Sequence, residues 1–347
     1  METIDRAPRG KTHGNDLIRN EHMKNTLVHA PCWQALFNEC LNTREIPQAW
    51  RKATLIVIPK GKSIETKPEA WRGIAIKSCP YKIFSKIIAR RLESFLEERG
   101  VIPEEQHGFR KGRSTHSAIE GLLGAIWDTL SRPKNCLYAV FVDLKAAFDI
   151  APRDKIVKEL AKMGVPGAML RLLISILKQN TVLIDNGVGI AGEVIQTTGV
   201  AQGDGLSPLL FSVLLGGLPE RISTGWTREW AKILLYADDV VISSCSLFRV
   251  KQAMDRLVTF MDEMGLKANW EKTVARKFRR SSPLARDDAL QIRGKELKFV
   301  NKFTYLGLTL TTRGSSFRSH IQERVRKATI AAAAIKFPHM PNIDELR

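Results

Sequence analysis

A mixed architecture of strands and helices, α+β or α/β, is predicted by three features of this 347-residue chain. Strand-like apolar runs are interspersed with stretches of helical periodicity. Glycine and proline breaks separate them, as in the Gly-Val-Pro-Gly segment at 164–167. Apolar residues make up 44% of the chain, enough for a sizeable core and for two or three packed units.

The elements follow in order. "APCWQALFNECLN" puts Trp33, Leu36, Phe37, Cys40 and Leu41 on one face of a helix. Ala53–Ile58 reads as a buried strand that runs into a basic loop, and "WRGIAI" reads as the returning strand. Together they predict a β-hairpin with Lys60 and Lys62 near its tip. The segment 81–100 is an amphipathic helix with Phe84, Ile87, Ile88, Leu92, Phe95 and Leu96 inward, and Gly100 suits its end. Leu137–Val142 is an apolar strand that ends in Asp143. Helices follow at 154–164 and 168–180. "LSPLLFSVLLGGL" predicts a helix with Ser207 as its N-cap and Pro208 at the first helical position. "ILLYADDVVISS" reads as a strand, a tight turn at Ala237–Asp239 and a strand. The segment 249–265 is helical, and "KFTYLGLTLT" is strand-like.

The formal charge is +18, from 54 Lys and Arg against 36 Asp and Glu. Such an imbalance points to a polyanionic partner, nucleic acid or an acidic membrane surface. No apolar run reaches the roughly 20 residues of a membrane span, and the first residues hold no signal-peptide core. Nucleic acid is therefore the expected partner, and an intracellular location, nucleus or cytoplasm, is expected. Residues 267–302 carry eleven Lys and Arg against four Asp and Glu, either a solvated face or a binding stripe. The five cysteines are scattered and form no CxxC pair, so neither a disulfide framework nor a zinc cluster is indicated.

Two adjacent aspartates, Asp238 and Asp239, stand between two apolar runs. They fit an ordinary hairpin turn. They also fit a divalent-cation site, provided a third carboxylate joins them, and Asp143 at the end of its own strand is the candidate. Clustered carboxylate oxygens suit Mg²⁺, which keeps waters and completes its shell with substrate phosphates. Two such ions activate an attacking oxygen and stabilise a leaving one.

The ordered motifs "FVDLKAAFD", "GVAQGDGLSPLLFSVLL", "LLYADDVVI", "MGLKANWEKT" and "KFTYLGLTL" resemble the successive palm motifs of reverse transcriptases. Upstream, "GKTHGNDLIRNEHMK", "IPQAWRKATLIVIPKGK", "WRGIAI" and "EEQHGFRKGRST" resemble finger motifs of the non-LTR, LINE-type retrotransposon branch. The likeness runs from about residue 10 to 312. It implies a right-hand polymerase fold: α+β, with a palm of antiparallel strands backed by helices and a thumb absent or incomplete. Fingers with part of the palm helices are expected over 1–136, the palm over 137–312 and the start of a thumb or connection over 313–347.

Site roles follow from the resemblance. Asp143 and Asp238 match the positions that bind both metals, and Asp239 matches the third acidic position. Leu144 matches the residue whose carbonyl reaches a metal. Phe148 falls where a bulky ring excludes a 2′-OH, and Ala147 where the sugar pocket has its floor. A core phenylalanine is the alternative for Phe148. Asp149 is expected to orient local backbone. Gln202 matches a contact to the incoming nucleotide, while Lys60 and Arg72 match cations that grip the triphosphate. Lys272 matches a lysine that protonates the leaving pyrophosphate, and Tyr305, Leu306 and Gly307 match the segment that holds the primer end. The implied cofactor is a pair of Mg²⁺ ions, with Mn²⁺ as a substitute; the implied partners are an RNA template, a DNA primer and dNTPs.

Two positions depart from the family pattern. Gly73 replaces the usual proline after Arg72, which predicts a looser strand, and Gly205 stands where a proline or a larger residue is common. A fragment of a larger polyprotein, or a degenerate genomic copy, is expected, active as an RNA-directed DNA polymerase. A non-catalytic nucleic-acid-binding relic is the alternative, and Phe148 argues against an RNA polymerase.

Overall fold

The computed structural model describes residues 2–24, 30–59, 70–133, 135–178, 180–185, 189–223, 231–280, 290–311 and 317–333. The chain opens with helices α1 (Glu2–Asp5), α2 (Asn20–Lys24) and α3 (Ala30–Thr43). Strands β1 (Lys52–Pro59) and β2 (Trp71–Ile76) come next, then α4 (Cys79–Glu98) and α5 (Thr115–Ser131). Strand β3 (Leu137–Val142) leads into α6 (Ala147–Ile150), α7 (Arg153–Lys162) and α8 (Gly167–Leu177). Then come β4 (Asn180–Asp185), β5 (Ile190–Gln196), α9 (Ser207–Leu214) and α10 (Leu218–Ser223). The last part holds β6 (Lys232–Tyr236), β7 (Asp239–Ser244), α11 (Leu247–Met264), β8 (Val274–Phe278), β9 (Leu290–Ile292), β10 (Lys295–Leu297), β11 (Lys302–Tyr305), β12 (Leu308–Thr311) and α12 (Arg318–Ala333).

One sheet has the order β6-β7-β3-β8, antiparallel throughout. Successive residues of a strand face opposite sides, and here both sides are covered. Val140, Val142, Val240 and Ile242 join the large core formed with α4, α9 and α11. Leu137, Ala139, Phe141 and Val241 join a second core with α5 and the β11–β12 hairpin. Burial on both faces explains why Leu137–Val142 is apolar without alternation. Beyond β6, Glu105–His107 add a short parallel bridge: Leu235 donates its amide to Glu105, and His107 donates to Leu235, each at 2.8 Å.

A second four-stranded sheet has the order β2-β1-β4-β5, and β9–β10 and β11–β12 form two-stranded sheets. The β1–β2 hairpin is antiparallel, as the sequence predicts, whereas β1 and β4 run parallel. The register passes unbroken through Gly73, opposite Val57. The Leu55 side chain fills the space beside it, because a Cβ on Gly73 would stand 2.8 Å from Leu55 Cδ1. Strands β4 and β5 thus share a sheet with β1 and β2, while residues 105–107 border the sheet of β3, so the chain passes between the sheets more than once.

Local signals set the helix ends. Ser78 Oγ accepts the Tyr81 amide at the start of α4, and Phe84, Ile88, Leu92 and Leu96 form its buried row. Ser114 and Ser117 cap α5 reciprocally. Two expectations are corrected. Ser207 is the first residue of α9 and Leu206 its cap, because Asp204 Oδ1 takes the Leu206 amide and starts the turn earlier. "KFTYLGLTLT" is a two-strand hairpin: Leu306 and Gly307 both have positive φ, 44° and 87°, the signature of a tight two-residue turn.

The basic stretch at 272–280 divides as well. Arg276 lies in β8 and is fully buried, its guanidinium donating to the Asn301 carbonyl. All five cysteines are free. Among the described residues no helix is long and apolar enough to cross a membrane.

Candidate active site

The acidic residues meet at one end of the antiparallel sheet. Val142 pairs with Val240, so β3 releases Asp143 level with the start of β7. Tyr236 pairs with Asp239 and closes the hairpin through Ala237 and Asp238, with Ala237 at φ 56°. The Asp239 carboxyl is raised to about 6, first by burial, then by the negative charges of Asp238 and Asp143. The register thus brings Asp143 to the same sheet end as Asp238 and Asp239, although 95 residues separate Asp143 from Asp238.

The backbone at Asp143 is fixed from the side of α11. Asn269 donates its amide to the Asp143 carbonyl, and Lys145 donates to the Lys267 carbonyl, each at 2.8 Å. Leu144 faces Ala268 between those two bonds. Its own carbonyl consequently points away from Ala268. The exposed Lys272 places its ammonium 4.0 Å from Asp143 Oδ2. An ion pair that open adds little stability.

A cavity of about 320 Å³ adjoins the acidic end, lined by Asp143, Asp239, Lys272, Phe303, Tyr305 and Leu306 among others. Tyr305 itself is buried against Phe141, ring centroids 5.5 Å apart. Burial and nearby Asp239 push its hydroxyl well above the usual phenol value. Of the three residues matched to primer binding, Leu306 and Gly307 form the hairpin tip and Tyr305 belongs to the core beneath it.

Phe148 is half-buried in α6 and stacks on Phe211, with centroids 5.0 Å apart and planes 20° apart. Ala147 is buried beside it. This turn is tied to the segment that carries Gln202. Val200 donates to the Phe148 carbonyl at 2.7 Å, and Gly199 donates to the Ala151 carbonyl at 2.9 Å. A Cβ on Gly199 would stand 2.3 Å from the Asp149 carbonyl oxygen, so the approach requires glycine. Arg72 is held in β2 opposite Ile58. Lys60 and Lys62 lie outside the described residues.

Sequence reasoning missed a buried polar group behind the Gln202 loop. Lys77 Nζ donates to Asp204 Oδ2 at 3.4 Å and to the Tyr81 hydroxyl at 3.2 Å. The Tyr81 hydroxyl donates to the same carboxylate oxygen at 2.5 Å. Burial lowers the Lys77 ammonium, which Asp204 partly offsets, and burial raises Tyr81. Nearby, Arg153 donates to the carbonyls of Gly199, Leu177 and Gln196 at 2.5–2.8 Å. The available signal was a lysine directly after an apolar strand and an aspartate three residues before an apolar helix. Gly108 was also missed: a Cβ there would stand 2.3 Å from the Ala237 amide nitrogen, against the acidic turn.

Residues 58–310 match the family described as reverse transcriptase (RNA-dependent DNA polymerase). Among curated proteins the chain is 28% identical over 336 residues to a probable RNA-directed DNA polymerase from transposon BS of Drosophila melanogaster, covering 94% of this chain and 37% of that protein. It is 27% identical to the RNA-directed DNA polymerase from mobile element jockey of the same species, over 92% of this chain and 35% of the relative. Among solved structures, apo telomerase from Candida tropicalis superposes with a TM-score of 0.56 at 14% identity, covering 83% of this chain and 53% of that one. That likeness concerns the fold. The chain spans little more than a third of the length of the two curated relatives.

Proposed function

The chain belongs to the reverse transcriptase (RNA-dependent DNA polymerase) family, and from that premise we propose that it is an RNA-directed DNA polymerase of the non-LTR retrotransposon kind. It adds dNTPs to a DNA primer 3′-OH along an RNA template, inside the host cell, in the nucleus or the cytoplasm. The observation that carries the reading is the register that brings the end of β3, with Asp143, level with the Asp238–Asp239 turn between β6 and β7.

The donor set suits hard cations. Among the described residues no three metal-binding side chains form a closed cage. Mg²⁺ does not need one, because one or two carboxylates plus substrate phosphates and water complete its shell. Asp143 and Asp238 are assigned to hold the pair of Mg²⁺ or Mn²⁺ ions, with Asp239 beside them and the Leu144 carbonyl as a neutral ligand. When bound, such ions activate the attacking hydroxyl and stabilise the leaving pyrophosphate.

The chain's own groups do the rest. Lys60 and Arg72 orient the triphosphate and offset its charge. Phe148 and Ala147 shape the sugar pocket, and the Phe211 stack supports a ring that excludes a 2′-OH. Gln202 contacts the incoming nucleotide. Lys272, whose ammonium lies 4.0 Å from Asp143 Oδ2, gives a proton to the leaving pyrophosphate. Leu306 and Gly307 hold the primer end. The excess positive charge supplies phosphate contacts without sequence preference.

The test is extension of a DNA primer on an RNA template with dNTPs and Mg²⁺. Incorporation that depends on Asp143 and Asp238 supports the reading. No incorporation by folded protein, nor by a longer chain extended at both ends, overturns it.

A further inference from the structure

We propose that the buried Lys77–Asp204 pair, completed by Tyr81, is a clasp that sets the Gln202 loop against strand β2. The proposal rests on the reading above, in which Arg72 and Gln202 contact the incoming nucleotide.

The clasp joins two distant parts of the chain at the right places. Lys77 is the first residue after β2, the strand of Arg72, and Tyr81 lies in the first turn of α4. Asp204 lies two positions after Gln202. The loop already borders β2, since a Cβ on Gly203 would stand 3.8 Å from the Ala75 carbonyl oxygen. Arg153 binds three carbonyls around the loop's start, and Asp204 anchors its end. Gln202 sits between the two anchors.

Burial argues for a positioning role over simple cohesion. The side chains of Lys77 and Asp204 are 6% and 4% exposed. Removing such charges from water is expensive, and well-packed apolar residues generally give equal or greater stability. Directional bonds are what the pair adds. Both carboxylate oxygens are used: Oδ2 by Lys77 and Tyr81, Oδ1 by the Leu206 amide that starts α9. The adjoining cavity, about 10 Å³, is too small for a substrate group, so a ligand site is not the explanation.

The test uses Lys77→Met, Asp204→Leu and the double variant. Steady-state extension gives KM and kcat for dNTP, a titration gives template–primer affinity, and hydrogen exchange reads the amides of 199–206. The single variants strand a buried charge and lose stability, whereas the double variant removes both charges and folds. For the double variant we expect dNTP KM to rise roughly tenfold with kcat and template–primer affinity near wild type, the pattern of lost nucleotide binding. Exchange over 199–206 accelerates. Wild-type KM and exchange in the folded double variant overturn the clasp. Tyr81→Phe removes one hydroxyl and no charge, and a rise of roughly threefold is expected. It decides the matter in the same way if the double variant does not fold. If Gln202→Ala and Arg72→Ala leave KM unchanged while the double variant still speeds exchange, the nucleotide assignments fall and the clasp stands.

Discussion

Gly108 lies directly against Ala237: a Cβ at position 108 would stand 2.3 Å from the Ala237 nitrogen and 3.2 Å from its Cα. Those atoms are backbone and cannot swing aside. The missing side chain at Gly108 therefore determines how closely the loop following residues 105–107 supports the turn that carries Asp238.

Gly108→Ala is expected to displace the acidic turn. Overpacking of this kind costs about 1–3 kcal/mol. Extension should fall by about tenfold or more, because small misplacements of reacting groups are strongly felt. Denaturant unfolding and extension rates on the purified variant check both parts.

Asp143→Asn and Asp238→Asn remove charge and keep shape. Each should lower the extension rate by about two to three orders of magnitude, the scale of losing one preorganised electrostatic partner. Template–primer binding should persist with its salt dependence intact, since phosphate contacts dominate it. Filter binding beside single-turnover extension separates the two effects.

Phe148→Ala should relax sugar selection. The ring is half-buried and stacked on Phe211. The variant loses a pair worth about 0.5–1.5 kcal/mol beyond area burial. The ratio of rNTP to dNTP efficiency should rise by roughly tenfold, which competitive incorporation measures. An unchanged ratio would leave Phe148 as a core residue only.

Asp239 gives a pH dependence whose sign follows from its raised pKa, about 6 in the folded chain. An unfolded aspartate titrates near about 3.9. The folded state thus binds the proton more tightly, and stability declines as pH rises through this window. It then stays level above the folded value. In metal-free protein at pH 8, Asp239→Asn should be more stable, by at most about 3 kcal/mol at roughly 1.4 kcal/mol per pH unit. The advantage should disappear below about pH 4. Chemical denaturation with EDTA at both pH values tests this.

Tyr305→Phe separates core from contact. The Tyr305 hydroxyl is buried and has no hydrogen-bond partner among the described residues. Removing it should be neutral or stabilising by about 1–2 kcal/mol. Primer affinity should hold, whereas Gly307→Val, at φ 87°, should disturb the hairpin tip and weaken primer binding. Thermal unfolding and primer titration distinguish the variants.

Much of the site was legible because it lies where local pattern is strong. Leu137–Val142 was bounded as observed, and an acidic turn between apolar strands was plain. Convergence of Asp143 with Asp238 came from ordered motifs, since spacing alone sets no strand pairing. Lys77 and Asp204 were not legible: they are 127 residues apart, and a lysine after a strand usually faces water. Arg276 was hidden among other basic residues, although its place in β8 buries it. Tyr305 was read as part of one long strand because Leu306-Gly307 is a weak turn signal; leucine rarely adopts the positive φ it has there.

The sheet order has a consequence for synthesis on the ribosome. Strand β3 is internal, and its two neighbours, β7 and β8, are made about a hundred or more residues later. Until residue 239 has left the exit tunnel Asp143 lacks its acidic neighbours, and until residue 278 has left it Leu137–Val142 has no complete set of partners. Nascent chains must hold that apolar strand unpaired for many seconds at ordinary elongation speeds, a period in which aggregation competes and chaperones have something to bind.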